Sequence, residues 1–411
     1  MNLLARIAVE ALRAGVPNRT AIRLMGNEHT LIEVAFDQAL HDAWAAGGKR
    51  SGLGIAGGFG AGKSHLLGYL AEVARGQHGV VSRVAISKET PLAHPAAVFA
   101  AALRTAVLPD SADDALGACL AHLREHPAAL EALEEEVSAP AAGFAPFFAA
   151  MLYLLRRSGT TAELVRTIER FLAGGRPPTP AIRRALREAG ARGTFPLGPV
   201  EAKTLLEQRI AFAPMLFRAA GYGPWCLLLD EVELIGRYTP LQRAESYAQL
   251  ATWLGLAGAR RFPGIVTVYA ITDDFVAEVV NPKLDSERLP ERLRLKGRAE
   301  EAALALAAIA DIERTVREHR LAAPEAAELA ACHTKLRGLY TEAYDWPAPA
   351  LAPAERTGSR RMRHYIKGWI TQWDLLRLVG RSDAIVAQTM VTNYAEDASL
   401  DAPPVPEDEA E

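Results

Sequence analysis

Eight residues, Gly57-Gly-Phe-Gly-Ala-Gly-Lys-Ser64, place Gly57, Gly62, Lys63 and Ser64 at the spacing G-x-x-x-x-G-K-[ST]. That spacing suits a polyphosphate. Glycines let backbone N–H groups curl around anionic oxygens, and a helix starting near the lysine turns its positive dipole end on the same charge. Lys63 would neutralise the β and γ phosphates of ATP, and Ser64 would offer a hydroxyl to Mg²⁺. Gly57, Gly58, Phe59, Gly60, Ala61, Gly62, Lys63, Ser64 and His65 together form the expected cradle. A chance glycine-rich turn is the competing reading.

A second pair, Asp230-Glu231, ends the apolar run Cys226 to Leu229. There Asp230 would hold Mg²⁺ through water and Glu231 would polarise an attacking water. Hydrolysis benefits from such a base beside the γ-phosphate, whereas transfer to a small-molecule hydroxyl does not need one. An acidic cap at a strand-to-helix turn is the alternative. Thr272 follows the run Ile265 to Ile271, where a polar side chain would reach between the two motifs toward the γ-phosphate; Asp273 competes for that place. Further on, Arg288, Arg292 and Arg294 occupy the region from which an arginine could reach a neighbouring subunit's nucleotide. Arg292 is the choice among them. The bland reading is a set of solvated arginines beside Glu287 and Glu291.

The elements that must position these residues can be read from periodicity. Ile32, Phe36, Ala39, Ala43 and Trp44 fall at helical spacing and Gly47-Gly48 stops that helix. Leu53 to Ala56 is a short strand before the glycine loop, Ser64 to Arg75 a helix after it, and Val80 to Ser87 a second strand. Strand, helix and strand in about forty residues form a βαβ unit and imply a parallel sheet. From Pro91 to Ala220 the pattern becomes alanine-rich helical segments broken by Pro and Gly. The sheet resumes in two runs apolar enough to be covered on both faces, Trp225-Cys-Leu-Leu-Leu-Asp-Glu231 and Ile265-Val-Thr-Val-Tyr-Ala-Ile-Thr-Asp273. Helical segments near 298–318, 323–343 and 360–378 follow. The expected organisation is 1–90, N-terminal helices and the first half of the α/β unit; 91–220, a helical insertion; 221–297, the second half; 298–394, a helical lid; and 395–411, an acidic disordered tail.

Composition bounds the class. The chain of 411 residues is 50% apolar and 23% charged, as in ordinary globular proteins, which excludes fibrous and disordered classes. Net charge is −3, but residues 396–411 hold seven acids and no base, which leaves +4 for the rest. So faint a positive charge neither demands nor forbids nucleic acid. Cys119, Cys226 and Cys332 lack metal-ligand spacing and suit a reducing cytoplasm. Arg6 and Glu10 interrupt any signal-peptide core. The uncharged stretch Val137 to Leu155 is broken by Pro140, Gly143 and Pro146, so a buried helix is expected there and no membrane span.

The strand and helix order, the Asp-Glu pair, the polar residue after the last strand and the C-terminal helices together resemble the AAA+ class of P-loop ATPases over residues 50–87 and 225–380. A closer similarity rests on Leu12-Arg-Ala-Gly-Val-Pro-Asn-Arg19, the glycine loop through His65, Leu228-Leu-Asp-Glu-Val-Glu233 and Ala270-Ile-Thr-Asp-Asp-Phe275. These look like the BrxD-like ATP-binding proteins of bacteriophage-exclusion (BREX) and related defence loci. The resemblance implies an ATPase in anti-phage defence, working beside a helicase or methyltransferase of its locus. In the AAA+ pattern a lid arginine contacts the γ-phosphate. Gly358-Ser-Arg-Arg-Met-Arg363 makes Arg360 or Arg361 that residue, with Arg361 preferred, although the usual preceding proline is replaced by Ser359 or Arg360.

Between Arg356 and Arg381 seven bases (Arg356, Arg360, Arg361, Arg363, Lys367, Arg377, Arg381) face one acid, Asp374, with His364, Tyr365, Trp369 and Trp373 interleaved. One reading is DNA binding through this segment, 356–381, with aromatics free to stack on bases. The other makes the aromatics a core face at helical spacing and the bases its wet face. Arg13, Arg19 and Arg23 could likewise meet DNA or a partner, or wrap the nucleotide fold. Two functions follow: an ATPase working on DNA or a defence partner, assembling with copies of itself if the arginine acts in trans, or a nucleotide-switched scaffold with little turnover.

Overall fold

Four apolar runs carry the sheet: β1 (Gly52–Ala56), β2 (Val80–Ala85), β3 (Trp225–Asp230) and β4 (Ile265–Ile271). The computed structural model describes residues 2–15, 18–25, 30–45, 52–111, 114–256, 258–321, 324–351, 362–380, 394 and 397. The strands pair in parallel in the order β1-β4-β3-β2, so β4, the last in the chain, lies between β1 and β3. Because all run the same way, the segments leaving β1, β3 and β4 emerge side by side at one edge.

Helices α1 (Leu3–Ala14), α2 (Arg19–Met25) and α3 (Thr30–His41) precede β1, and α4 (Lys63–Gly76) links β1 to β2. Between β2 and β3 run α5 (Pro95–Arg104), α6 (Ala115–Glu125), α7 (Pro127–Ser138), α8 (Pro146–Leu155), α9 (Ala162–Leu172), α10 (Thr179–Glu188) and α11 (Ala202–Ala219). The uncharged stretch divides as expected at Pro140 and Pro146, leaving α8 as a buried helix. Among the described residues no helix is long and apolar enough to cross a membrane. Then come α12 (Pro240–Trp253) between β3 and β4, and α13 (Asp285–Leu295), α14 (Ala299–Glu318), α15 (Ala326–Tyr344) and α16 (Met362–Val379) after β4.

Every residue of β1, β3 and β4 is buried, as a parallel sheet covered on both faces requires. Alternate side chains go to different cores. Leu53, Ile55, Cys226, Leu228, Val266, Val268 and Ala270 pack with Phe36 of α3 and Leu67 and Leu70 of α4. Trp225, Leu227, Leu229, Ile265, Tyr269 and Ile271 join the larger core with helices α5 to α14, where Phe99 and Phe217 meet the Trp225 ring edge-on. At Gly54 a Cβ would fall 2.4 Å from the Tyr269 ring and 2.5 Å from Thr315. The glycine therefore lets the Tyr269 hydroxyl cross β1 to Asp311 and Thr315 of α14, at 3.0 and 2.9 Å.

The C-terminal helices divide differently from the 298–394 grouping. Ala302, Ala305, Ile309 and Ile312 turn α14 into the sheet-side core. A separate core instead joins α15 and α16 to the N-terminus, through Ala5 and Val9 of α1, Met25, Leu336, Tyr340, Trp369 and Trp373. Their apolar faces are thus satisfied by the chain's own first helices. The tail expectation also needs correction at one point. The Asp397 N–H donates to the Arg237 carbonyl at 2.9 Å and its carboxylate accepts from the Arg237 guanidinium at 2.8 Å, so this residue is docked. Residues 395, 396 and 398–411 lie outside the described residues.

Candidate functional site

The loop leaving β1 reaches α4 through Gly60 and Gly62, whose φ angles of 79° and 107° are left-handed and suit glycine. Gly62 precedes the first turn of α4, so the helix N-terminus opens on the loop. Lys63, 8% exposed, donates through Nζ to the Gly57 carbonyl at 2.8 Å and lies 3.8 Å from the Glu233 carboxylate. Phe59 and Ala61 belong to the loop, and His65 sits in the first turn of α4.

Three polar side chains meet where β3 ends. Ser64 Oγ donates to Asp230 Oδ2 at 2.9 Å, and Arg83 of β2 donates to the same oxygen at 2.7 Å. The second Asp230 oxygen accepts the Glu231 N–H at 3.1 Å. Ser64 spends its proton on Asp230, which leaves its lone pairs for a cation. Glu231 takes φ 60° and ψ 31°, a left-handed conformation unusual outside glycine. Such strain, on the order of 1–3 kcal/mol, marks a position held by its surroundings. Burial pushes the Glu231 carboxyl above its ordinary range, with Asp230 adding to the effect and Lys63 opposing it. Burial pushes Glu233 up to about 7. Both of its oxygens are buried without a hydrogen-bond partner. Two hard-oxygen groups, Ser64 and Asp230, beside further acids fit Mg²⁺ in kind.

β4 brings the third element. The Gly57 N–H donates to the Ile271 carbonyl at 3.1 Å, so Thr272 abuts the start of the glycine loop. Thr272 is 1% exposed, and its hydroxyl is hydrogen-bonded to the Tyr394 hydroxyl. Asp273, its competitor, is committed to an ion pair with Arg320 at 2.6 Å.

Residues 4–137 match the family of BREX system ATP-binding proteins BrxC/D. The match takes in the glycine loop, Lys63 and Ser64, and it supports a BrxD-like protein that binds ATP in BREX defence. Asp230, Glu231 and Thr272 lie beyond it. No curated protein and no solved structure matches the chain.

Lys63, Ser64, Asp230 and Glu231 thus stand together, with Thr272 beside them, whereas Arg288, Arg292 and Arg294 do not join them. Those three are exposed on α13, and among the described residues none of their side chains has an ion pair, not even with Glu287 or Glu291. Arg288 and Arg292 border a cleft of about 530 Å³ with Lys283, Leu289 and Leu295. Arg356, Arg360, Arg361 and Arg381 lie outside the described residues. In the basic segment Trp369 and Trp373 are 2% and 0% exposed in the α15–α16 core, so neither can stack on a base. Arg377 lies 4.3 Å over the Tyr344 ring and Arg363 donates to the Gly15 carbonyl at 2.6 Å. Arg13 pairs with Asp374, and Arg19 and Arg23 with Glu72 of α4.

Three residues of the site escaped the sequence reading. Glu233 carried a weak signal, an acid three residues after Asp230. Arg83 was a lone cation inside an apolar strand. Tyr394 offered no local signal at all.

Proposed function

We propose that this protein is a Mg²⁺-dependent ATPase of the AAA+ type in BREX anti-phage defence, coupling turnover to DNA or to a defence partner such as a helicase or methyltransferase. One observation carries the reading. Lys63, the Ser64–Asp230 pair and Glu231 converge at the sheet edge where the glycine loop opens, with β4 setting Thr272 between the two motifs.

In this reading the loop N–H groups and Lys63 hold the phosphates, and Lys63 exchanges its contact with the Gly57 carbonyl for them. Ser64 and Asp230 are the residues that would hold Mg²⁺, which would supply neutralisation of charge developing on the phosphate oxygens. Glu231, with its carboxyl more basic than usual, accepts a proton from the attacking water. Thr272 donates to a γ-phosphate oxygen. Arg292 acts on the nucleotide of a neighbouring copy, which would account for arginines on the exposed face of α13 that have no ion pair among the described residues. Arg360 or Arg361 remains the proposed lid contact. Lys367, whose side chain has no ion pair among the described residues, is the described base best placed to meet a DNA backbone. Cytoplasmic action follows from the same reading.

The test is phosphate release by wild type and Glu231→Gln, with and without duplex DNA, beside ATP binding by both. Loss of a general base predicts a fall of about 10²–10⁴-fold in turnover with binding retained. If wild type releases no more phosphate than Glu231→Gln under any of these conditions, the ATPase reading fails. ATP binding retained in that case would leave a nucleotide-switched scaffold.

A further inference from the structure

Near the C-terminus two described residues are fastened across the site. Tyr394 places its hydroxyl between Thr272 and Asp274, donating to Asp274 Oδ1 at 2.9 Å. Its carbonyl accepts from Lys283 Nζ at 3.2 Å, and the same ammonium binds the Gly236 carbonyl at 2.9 Å. Its ring meets Phe275 edge-on, with centroids 6.2 Å apart. Gly236 makes room for it, since a Cβ there would fall 3.1 Å from the Tyr394 ring. Three residues on, Asp397 is tied to Arg237 by both backbone and side chain. The contacts fall on the segment after the Asp230-Glu231 pair and on the segment after β4.

Proton bookkeeping gives these contacts a direction. A phenol has one proton, and a carboxylate can only accept. Burial, with Asp274 alongside, holds the Tyr394 phenol above its ordinary range, so it stays protonated. Its proton goes to Asp274. The bond to Thr272 therefore has Thr272 as donor and the tyrosine oxygen as acceptor. A threonine hydroxyl also has one proton, so while Tyr394 is seated Thr272 has none to give a phosphate oxygen.

We infer that Tyr394 is a positioning residue that competes with the γ-phosphate for the Thr272 hydroxyl, so that the Tyr394–Thr272 contact acts as a latch released by ATP and retained with ADP, with the Asp397–Arg237 pair favouring the seated form. The inference rests on the reading of Thr272 as the γ-phosphate contact. A diphosphate does not reach for this proton, so seating costs it nothing. A triphosphate binds a site whose competent form is only a fraction of the population, which lowers its apparent affinity by that fraction. By reciprocity, ATP must loosen the latch by the same factor with which the latch weakens ATP.

The experiment titrates fluorescent N-methylanthraniloyl ATP and ADP, with Mg²⁺, into the full chain as wild type, Tyr394→Phe and Asp397→Ala. Phenylalanine keeps the ring against Phe275 and Gly236 and removes only the hydroxyl. One hydrogen bond is worth about three- to tenfold, so Tyr394→Phe should bind the ATP analogue tighter by that factor with the ADP analogue unchanged. Asp397→Ala, which touches neither Thr272 nor nucleotide, should shift ATP in the same direction by less. Equal shifts for both nucleotides, or none, in chains whose thermal unfolding matches wild type would overturn the latch. Wild type that binds neither analogue would instead overturn the nucleotide site itself, and the latch with it.

Discussion

The helix carrying Arg288 and Arg292 is anchored at its first residue, and the anchor can be removed. Asp285 is 0% exposed and Arg243 of α12 is 2% exposed. Arg243 Nε donates to both carboxylate oxygens at 3.0 and 2.9 Å, and Nη2 adds a third bond at 2.9 Å. The Tyr247 hydroxyl donates to Asp285 Oδ2 at 2.9 Å, and Arg243 Nη1 reaches the Tyr238 carbonyl at 2.8 Å. Asp285→Ala therefore deprives a buried guanidinium of its carboxylate and the Tyr247 phenol of this acceptor. Removing one partner of a buried pair costs about 3–5 kcal/mol, a large share of the roughly 5–15 kcal/mol that holds a domain folded. The double variant Arg243→Met/Asp285→Leu removes both charges and leaves none uncompensated, so it should recover at least 2 kcal/mol of that loss, on the order of the penalty for a lone buried charge. Urea unfolding followed by tryptophan fluorescence measures all of these chains. A cost below about 1 kcal/mol for Asp285→Ala, or a double variant as unstable as the sum of its parts, would refute the argument that this pair sets the base of α13.

Two further outcomes are expected. If Arg292 acts in trans, Arg292→Ala lowers turnover by ~10³-fold or more, and the specific activity of wild type rises with protein concentration; a wild type equally active at all concentrations excludes it. Burial pushes the Asp311 carboxyl up to about 6, above its ordinary 3.8. As pH rises through that window the unfolded chain loses this proton first, so the group's contribution to stability falls between about pH 4 and 6. Asp311→Asn should flatten the dependence of Tm on pH there; an unchanged profile would show that Asp311 is not its source.

The glycine loop and the strands leading to Asp230 and Thr272 were legible because each is local: a fixed spacing, a run of four to seven apolar residues, a flanking helix period. The order of the strands was not, since the pairing of β4 with both β1 and β3 joins segments about 40 to 215 residues apart and leaves no trace in either neighbourhood. Thr272 was found from its place after a strand, but the Tyr394 hydroxyl on it comes from 122 residues away. Trp369 and Trp373 were ambiguous for a different reason. Aromatics four residues apart make the same stripe whether they face a core or a nucleic acid, and only the presence of α1 and Tyr340 on that side decides for the core.

Charge clusters in the sequence also concealed their own partners. Arg13, Arg19, Arg23 and Arg363 look like a basic surface, yet each is spent within the chain, and together they connect distant elements. Arg363 and Arg13 fasten α16 to α1, while Arg19 and Arg23 fasten α2 to Glu72 of α4, the helix that begins at Lys63. Partly exposed pairs of this kind are worth little singly, about 0–1 kcal/mol, so their contribution is to geometry more than to stability. The packing beneath them gives the geometry its stiffness: Ile22 lies so close to Gly68 of α4 that a Cβ there would fall 2.3 Å from it, and Lys335 of α15 donates to the Met25 carbonyl at 3.1 Å. These contacts join α4 to α2, and α1 and α2 in turn to the face of α15 and α16. The N-terminal helices thus supply the contact path from the loop to the C-terminal helices.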